Sequence, residues 1–270
     1  MSPMVVSLMA ICLRVSRIGA SSSIRFGCIP TRLPRQPISK HFTNSLAFSP
    51  IACSREQAER TGMTDTDKIV QISSLMASRL CHDLVNPVGA LNTGLEVLCE
   101  GEDPEMQEHA LNLIKESTSK SIAVLTLARL AYGSSGGFSG DLDMREAETA
   151  AQAFYAHSKA ELDWRLGEAS LPKWQGRVLL NMLIAIERCV PRPGSIVQVE
   201  KAGGLIVTAT GPKVKFSDEM ARAFDGDDAD IQPKDMPACL AALIARTGGA
   251  HITTDFALDE RLVLRLDLAC

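Results

Sequence analysis

One long periodic pattern constrains this 270-residue chain more than any other feature. Between residues 67 and 100 the apolar side chains recur in steps of three and four: Ile69, Ile72, Met76, Leu80, Leu84, Val88, Leu91, Leu95 and Leu98. Such steps place apolar residues on one face of an α-helix. A helix of that length is roughly 50 Å long, and its apolar face has to be covered by other helices.

His82 does not belong to this apolar face. At 100° per residue it shares a separate face with Arg79, Asn86 and Gly89, so we expect its ring to meet solvent or a partner. An imidazole nitrogen is a nucleophile at neutral pH, and the adjacent Asp83 can fix the ring tautomer or accept its proton. Asn86, one turn further along, can orient the ring or an incoming phosphoryl oxygen.

Pro87 lies inside the same predicted helix, five residues after His82. Proline lacks a backbone N–H and removes one helical hydrogen bond. We therefore expect a kink beside His82, with carbonyl groups freed there.

The motif His-Asp-x-x-Asn-Pro on an amphipathic helix resembles the phosphoacceptor helix of two-component signalling proteins. The longer string from Ser78 to Ala90, with Asn92, Gly94, Leu95 and Glu96 after it, resembles the ChpT-type histidine phosphotransferases of alphaproteobacteria. The resemblance implies that His82 is the phosphoacceptor and that Asp83 and Asn86 assist catalysis. Arg79 and Pro87 would then support the site structurally.

A second amphipathic helix follows the first. Gly101 ends the first helix, and Asp103-Pro104 supplies an N-cap and a first-turn proline. The second helix runs to Tyr132-Gly133, with apolar positions at Met106, Ala110, Leu113, Ile114, Val124, Leu125 and Ala128. Two helices alone cannot cover both apolar faces, so we predict a homodimer whose hairpins form a four-helix bundle, as the resemblance also implies.

Charge and composition divide the chain. Residues 1–62 carry a net charge of +6, and the remaining residues carry −10. The basic segment can be an organellar transit peptide, a weak secretion signal, or untranslated sequence before a start at Met63, which we favour; we expect it to be disordered and silent. The acidic charge of residues 63–270 argues against nucleic-acid binding. No apolar run approaches the ~20 residues of a membrane span, and we expect a cytoplasmic protein.

The eight cysteines are spaced without a Cys-x-x-Cys pair, so no zinc or redox motif is predicted.

We divide the chain into a leader (1–62), a dimerisation and phosphotransfer hairpin (63–133), a glycine-rich linker (134–142) and an α/β domain (143–270). The α/β domain is predicted from helices near 143–158, 174–190, 217–224 and 237–247, a short strand at 163–166, and hairpins at 195–210 and 251–268.

This order of elements resembles the ATP-binding domain of histidine kinases, the Bergerat-type α/β sandwich shared with gyrase and Hsp90. The predicted fold class is therefore α + α/β, a dimeric helical hairpin followed by a degenerate ATPase-like sandwich. Asn181 occupies the position of the kinase asparagine box, but Ala185 stands where a second magnesium ligand is needed. The segments 208–213 and 225–230 replace the two glycine-rich nucleotide loops, and the second of them is acidic. We expect no bound ATP, cofactor or metal, and we interpret the acidic segment as a solvated loop rather than a calcium site.

These features predict a histidine phosphotransferase of a phosphorelay, an enzyme that moves a phosphoryl group between response-regulator receiver domains through His82 without ATP. By resemblance the donor is the receiver of a hybrid kinase, and the acceptors are cell-cycle regulators, one of them DNA-binding. The receiver brings its own Mg²⁺. Two alternatives remain, an ATP-dependent sensor histidine kinase core and a non-catalytic dimeric adaptor that binds a response regulator. The histidines His109, His157 and His251 have no adjacent carboxylate and Asn, and we interpret them as surface or structural residues.

Overall fold

The computed structural model describes residues 64–100, 103–133, 139–227 and 231–268, which belong to one compact unit, Glu56–Cys270. The predicted leader at 1–62, the core of the glycine-rich linker at 134–138 and the acidic residues 228–230 lie outside the described residues.

The first two helices form the predicted hairpin. They are α1 (Asp65–Glu100) and α2 (Pro104–Tyr132). The Asp103 carboxylate accepts a hydrogen bond from the Glu105 backbone N–H at 3.1 Å and caps α2, and Pro104 begins its first turn. The short connection makes the two helices antiparallel neighbours.

Pro87 does not end α1, which continues through it to Glu100. Its side chain is buried and lines a cavity together with Ser117 and Lys120 of α2. Close packing is also required at Gly94, where a Cβ atom would lie 2.8 Å from Ile114 Cγ1 and 3.2 Å from the Ala110 carbonyl oxygen. The small residue thus lets the two backbones approach.

The rest of the chain forms an α/β sandwich. Its helices are α3 (Met144–Tyr155), α4 (Lys173–Glu187), α5 (Asp218–Phe224) and α6 (Met236–Thr247), with a 3-10 turn at Pro233–Asp235. Its strands are β1 (Asp141–Asp143), β2 (Ala160–Trp164), β3 (Ser170–Pro172), β4 (Ser195–Lys201), β5 (Leu205–Thr210), β6 (Ala250–Ala257) and β7 (Arg261–Leu268).

Five strands form one sheet in the order β2-β4-β5-β7-β6, and β1 pairs with β3 separately. The β2–β4 pair is parallel and the other pairs are antiparallel. Gly203, with a φ of +73°, makes the tight turn between β4 and β5. Alternate residues such as Val197, Val207 and Leu264 are completely buried under the helices, and the opposite face of the sheet meets solvent.

The predicted order of a helical hairpin followed by an α/β sandwich is confirmed. Several bounds differ: the strand predicted at 163–166 lies at Ala160–Trp164, and α4 ends at Glu187 rather than near residue 190. Strands β1 and β3 were not predicted, because three residues are too few to display an alternating pattern. Within the described ranges, none of the helices is both long and apolar enough to cross a bilayer.

The sandwich is joined to the hairpin through two buried side chains of α4. The Asn181 amide Nδ2 donates to the carbonyl oxygens of Ala131 at 3.2 Å and Arg177 at 2.8 Å. The Arg177 guanidinium donates to the Tyr132 carbonyl oxygen at 3.0 Å. The bonds to Ala131 and Tyr132 satisfy carbonyl groups at the C-terminal end of α2, which a helix leaves without internal partners, and the bond to Arg177 lies within α4.

Candidate functional site

His82 lies near the middle of α1 with 77% of its side chain exposed. Its Nδ1 atom is 3.5 Å from Asp83 Oδ1. The carboxylate favours a proton on Nδ1, so the lone pair is left on Nε2, the nitrogen that faces away from Asp83. With most of its side chain exposed, the ring can offer Nε2 to a partner as a nucleophile.

Asp83 is in turn held by Arg79, whose Nε donates to Asp83 Oδ2 at 2.8 Å. We expected Arg79 on the solvent-facing side of α1, but its side chain is only 9% exposed. The reason is tertiary: the 3-10 turn Pro233–Asp235 packs over it, and Arg79 Nη1 approaches the Lys234 carbonyl oxygen at 3.5 Å. Arg79 thus fixes Asp83 from a buried position while His82 stays exposed.

Tyr132, the last residue of α2, lies beside this ion pair. Burial raises the pKa of Tyr132 to about 12, and the positive charge of Arg79 opposes part of that increase. The phenol is therefore neutral near pH 7 and is not a base for this site.

Asn86 and Pro87 share a cavity with His82 and Asp83. The cavity has a volume of about 180 Å³ and lies where the hairpin meets the sandwich. Further lining residues come from α2, the end of α3 and the end of α4: Lys120, Ala123, Val124, Phe154, His157, Ser158 and Glu187. The structure thus brings together the five residues that the sequence singled out and encloses one side of them with the sandwich.

A second cavity lies on the other side of His82. Its volume is about 360 Å³, and it is lined by Ser78, Arg79 and His82 from α1 and by residues 232–234 from the sandwich. The imidazole therefore stands at the junction of hairpin and sandwich, and a docking protein can reach both at once.

Sequence reasoning missed Lys120, His157, Glu187 and Lys234 as neighbours of His82. His157, interpreted as a surface or structural residue, lines the His82 cavity and contacts Ser119 Oγ through Nε2 at 3.2 Å. No local pattern marks these residues, because they reach His82 from other elements of the fold.

The position of the kinase asparagine box is occupied by structural bonds. Asn181 is fully buried and donates to the two carbonyl oxygens named above, and Ala185 is buried beside it. Across the part of the chain that the structure describes, no three His, Cys, Asp or Glu side chains form a group that could hold a metal ion.

This chain is similar to a known protein family and to a particular curated protein. Residues 144–259 match the family model of the histidine phosphotransferase C-terminal domain. The chain is 38% identical over 127 residues to protein phosphotransferase ChpT of Brucella abortus (strain 2308). That alignment covers 47% of this chain and 59% of the relative, so the chain spans less than two thirds of that protein.

A solved structure agrees over a longer range. A bacterial phosphotransferase, determined at 1.7 Å, is 29% identical to this chain and superposes with a TM-score of 0.64, covering 73% of this chain and 96% of that one. Together the three matches confirm the resemblance to ChpT-type histidine phosphotransferases that the motif around His82 predicted.

Proposed function

We propose that this protein is a histidine phosphotransferase that carries a phosphoryl group between response-regulator receiver domains without using ATP. The His82 Nε2 lone pair attacks the phosphorus of a receiver's aspartyl phosphate in line. The P–Nε2 bond forms, the P–O bond breaks, and the receiver's aspartate leaves as a carboxylate. The reverse transfer to a second receiver regenerates His82.

The observation that carries this proposal is the geometry at His82. The ring is exposed, Asp83 faces its Nδ1 atom, and Arg79 holds Asp83 in place. A positively charged ring forms when Nε2 is phosphorylated, and the Asp83 carboxylate stabilises it and accepts the Nδ1 proton. Asn86, in the same cavity, provides an amide that can donate to a phosphoryl oxygen.

Phosphoryl transfer depends mainly on positioning and on neutralising negative charge. We assign the metal to the partner: the receiver brings Mg²⁺, and this chain binds no cofactor of its own. Asn181 supports that assignment, because its amide is bonded to Ala131 and Arg177 inside the core rather than turned toward a nucleotide.

A homodimer is the second part of the proposal. In the described residues, ten of the twelve large apolar side chains that are exposed lie on the hairpin: Ile69, Val70, Val85, Val88, Leu95, Met106, Leu111, Leu113, Ile122 and Leu125. Burying apolar surface contributes roughly 25 cal/mol per Å². A second hairpin would bury Val88, Leu95 and Leu125 in a four-helix bundle and leave His82, on a different face of α1, accessible.

The proposed partners are receiver domains only, with a hybrid-kinase receiver as donor and cell-cycle regulators as acceptors. The proposed location is the cytoplasm, where such receivers act.

The proposed function is tested by incubating the protein with a radiolabelled, phosphorylated receiver and Mg²⁺. We expect an acid-labile, base-stable label on the wild-type chain and none on His82→Ala. His109→Ala is the matched control, because His109 is another exposed histidine of the hairpin. Both variants should keep the wild-type melting temperature.

Two outcomes would contradict the proposal. A wild-type chain that binds the receiver but acquires no label would be an adaptor. A chain that labels itself from ATP alone would be a sensor kinase core.

A further inference from the structure

We propose that Lys120 binds the phosphoryl group of phosphorylated His82 during the interval between donor and acceptor. This inference rests on the proposed function and extends it to a residue of α2. It begins from an electrostatic problem that the transfer step creates.

A side-chain phosphate carries a charge of about −1.5 to −2 near pH 7. On Nε2 of His82 that charge would lie across the imidazole ring from the Asp83 carboxylate, and Glu187 lines the same cavity. Like charges at this distance repel each other. While a receiver is docked its Mg²⁺ offsets the charge, but the metal leaves with the receiver. The phosphorylated chain then needs a cation of its own.

Two cations of this chain line the cavity, Arg79 and Lys120. Arg79 is already paired, through its 2.8 Å bond to Asp83, and it is buried. Lys120 is exposed, and within the described residues it takes part in no ion pair or hydrogen bond. Its ammonium group is therefore available for a new partner.

Lys120 also lines a neighbouring cavity of about 330 Å³ together with Asn86, Pro87 and His157. It thus stands beside Asn86, the residue proposed to donate to a phosphoryl oxygen. His157 is less suitable, because its Nε2 atom is engaged with Ser119 Oγ at 3.2 Å. An ammonium group with three rotatable donors suits a phosphoryl group that has to be held and then released.

The test uses the full chain and a small donor, phosphoramidate, so that no receiver or magnesium contributes charge. In this reaction the P–N bond of phosphoramidate breaks, ammonia leaves, and the phosphorus bonds to Nε2 of His82. ³¹P NMR then measures the fraction of phosphohistidine and the pH at which its phosphate titrates. The variants are Lys120→Gln, Lys120→Arg and two comparison variants, Lys115→Gln and Lys234→Gln.

We expect Lys120→Gln to lower the phosphorylated fraction at equilibrium about five- to tenfold, which is less than a buried charge-assisted hydrogen bond would give because Lys120 is exposed. It should also raise the pKa of the bound phosphate, because a nearby cation favours the doubly ionised form. Lys120→Arg should restore both values. Lys115→Gln, on the same helix but outside the His82 cavity, should match the wild type.

Each other result overturns the inference. A wild-type phosphate pKa and phosphorylated fraction in Lys120→Gln would exclude contact with the phosphoryl group. A shift in Lys234→Gln without one in Lys120→Gln would move the assignment to the cavity on the opposite side of His82. If His82→Ala is labelled as well as the wild type, or if the wild type takes a label from neither phosphoramidate nor a receiver, the proposed function fails too. Labelling of wild-type His82 that is unaffected by Lys120→Gln leaves the proposed function standing.

Discussion

The hairpin and the sandwich bury their apolar residues to very different extents. The core of the sandwich is closed within the single chain: Leu179, Leu183 and Leu264 are fully buried, and Leu127, Leu130 and Ala131 at the end of α2 belong to the same core. The hairpin leaves ten large apolar side chains exposed, and among the described residues of its α1 only Arg79, Pro87 and Gly94 are buried. The difference teaches that the sandwich, together with the end of α2, closes its core within one chain, while α1, the helix that carries His82, leaves most of its apolar side chains for contacts with other surfaces.

This contrast has a functional consequence. Under the proposed function His82 has to be reached by different receivers, which requires an exposed helix, while its supporting groups have to be rigid. The sandwich provides that rigidity, because the turn at Pro233–Asp235 covers Arg79, and Arg79 holds Asp83. Four substitutions, from the largest expected effect to the smallest, test this difference between the hairpin and the sandwich.

Leu183→Ala should lower the free energy of unfolding by about 2–5 kcal/mol, because it leaves a cavity in the closed core of the sandwich. Chemical denaturation should give the same loss at every protein concentration. Ile196→Ala, on the 43% exposed position of β4, is the control and should cost less than about 1 kcal/mol. A concentration-dependent loss in Leu183→Ala would mean that the sandwich is not self-sufficient.

Val88→Glu should dissociate the proposed dimer. Val88 is 54% exposed in the single chain. In a symmetric four-helix bundle each of the two chains would bury one carboxylate at this position, at a total cost of about 2–4 kcal/mol. Analytical ultracentrifugation should find monomers at micromolar concentration. Thr93→Glu adds the same charge on an exposed position away from the apolar face and should remain dimeric. A dimeric Val88→Glu would place the dimer contact elsewhere.

Asn181→Ala should cost about 1–2 kcal/mol, because the Ala131 carbonyl oxygen at the end of α2 loses its side-chain donor in a buried place. Hydrogen exchange should become faster at the end of α2, where the hairpin joins the sandwich. Gln152→Ala, which removes an exposed amide of α3 paired with Glu148, serves as the control. Unchanged exchange at Ala131 would show that the junction is held by packing alone.

Asp235→Asn should stabilise the protein slightly at pH 7, by up to about 1 kcal/mol. Burial raises the pKa of Asp235 in the folded chain, with Lys234 and Arg188 opposing it, and its Oδ2 atom has no hydrogen-bond partner among the described residues. A carboxyl group whose pKa is higher in the folded chain than in the unfolded chain stabilises the folded state in its protonated form. This stabilisation is complete below the unfolded pKa and is lost as the pH rises through the folded pKa. The gain should therefore disappear below about pH 4, the ordinary Asp range. A gain that persists at pH 3 would require another cause.

Much of the fold was predictable from local patterns. The Asp103-Pro104 capping signal placed the start of α2, and the hairpin predicted at 195–210 is present as β4 and β5. Strands β1 and β3 were missed, since each is three residues long and forms only because the other is nearby. In the candidate site the motif supplied His82, Asp83 and Asn86, whereas the burial of Arg79 was not expected.

The sequence alone determined where the long helices lie and which residue of α1 offers a nucleophile, because helical periodicity and side-chain chemistry are local properties. Only the tertiary structure decided what surrounds that nucleophile. The cavities beside it are lined by residues from distant segments: Lys120, His157 and Lys234. Asn181 has a structural role instead of binding a ligand, because its amide bonds to Ala131 where α2 ends against α4. Such contacts depend on how separate elements pack, and no short stretch of sequence encodes that packing.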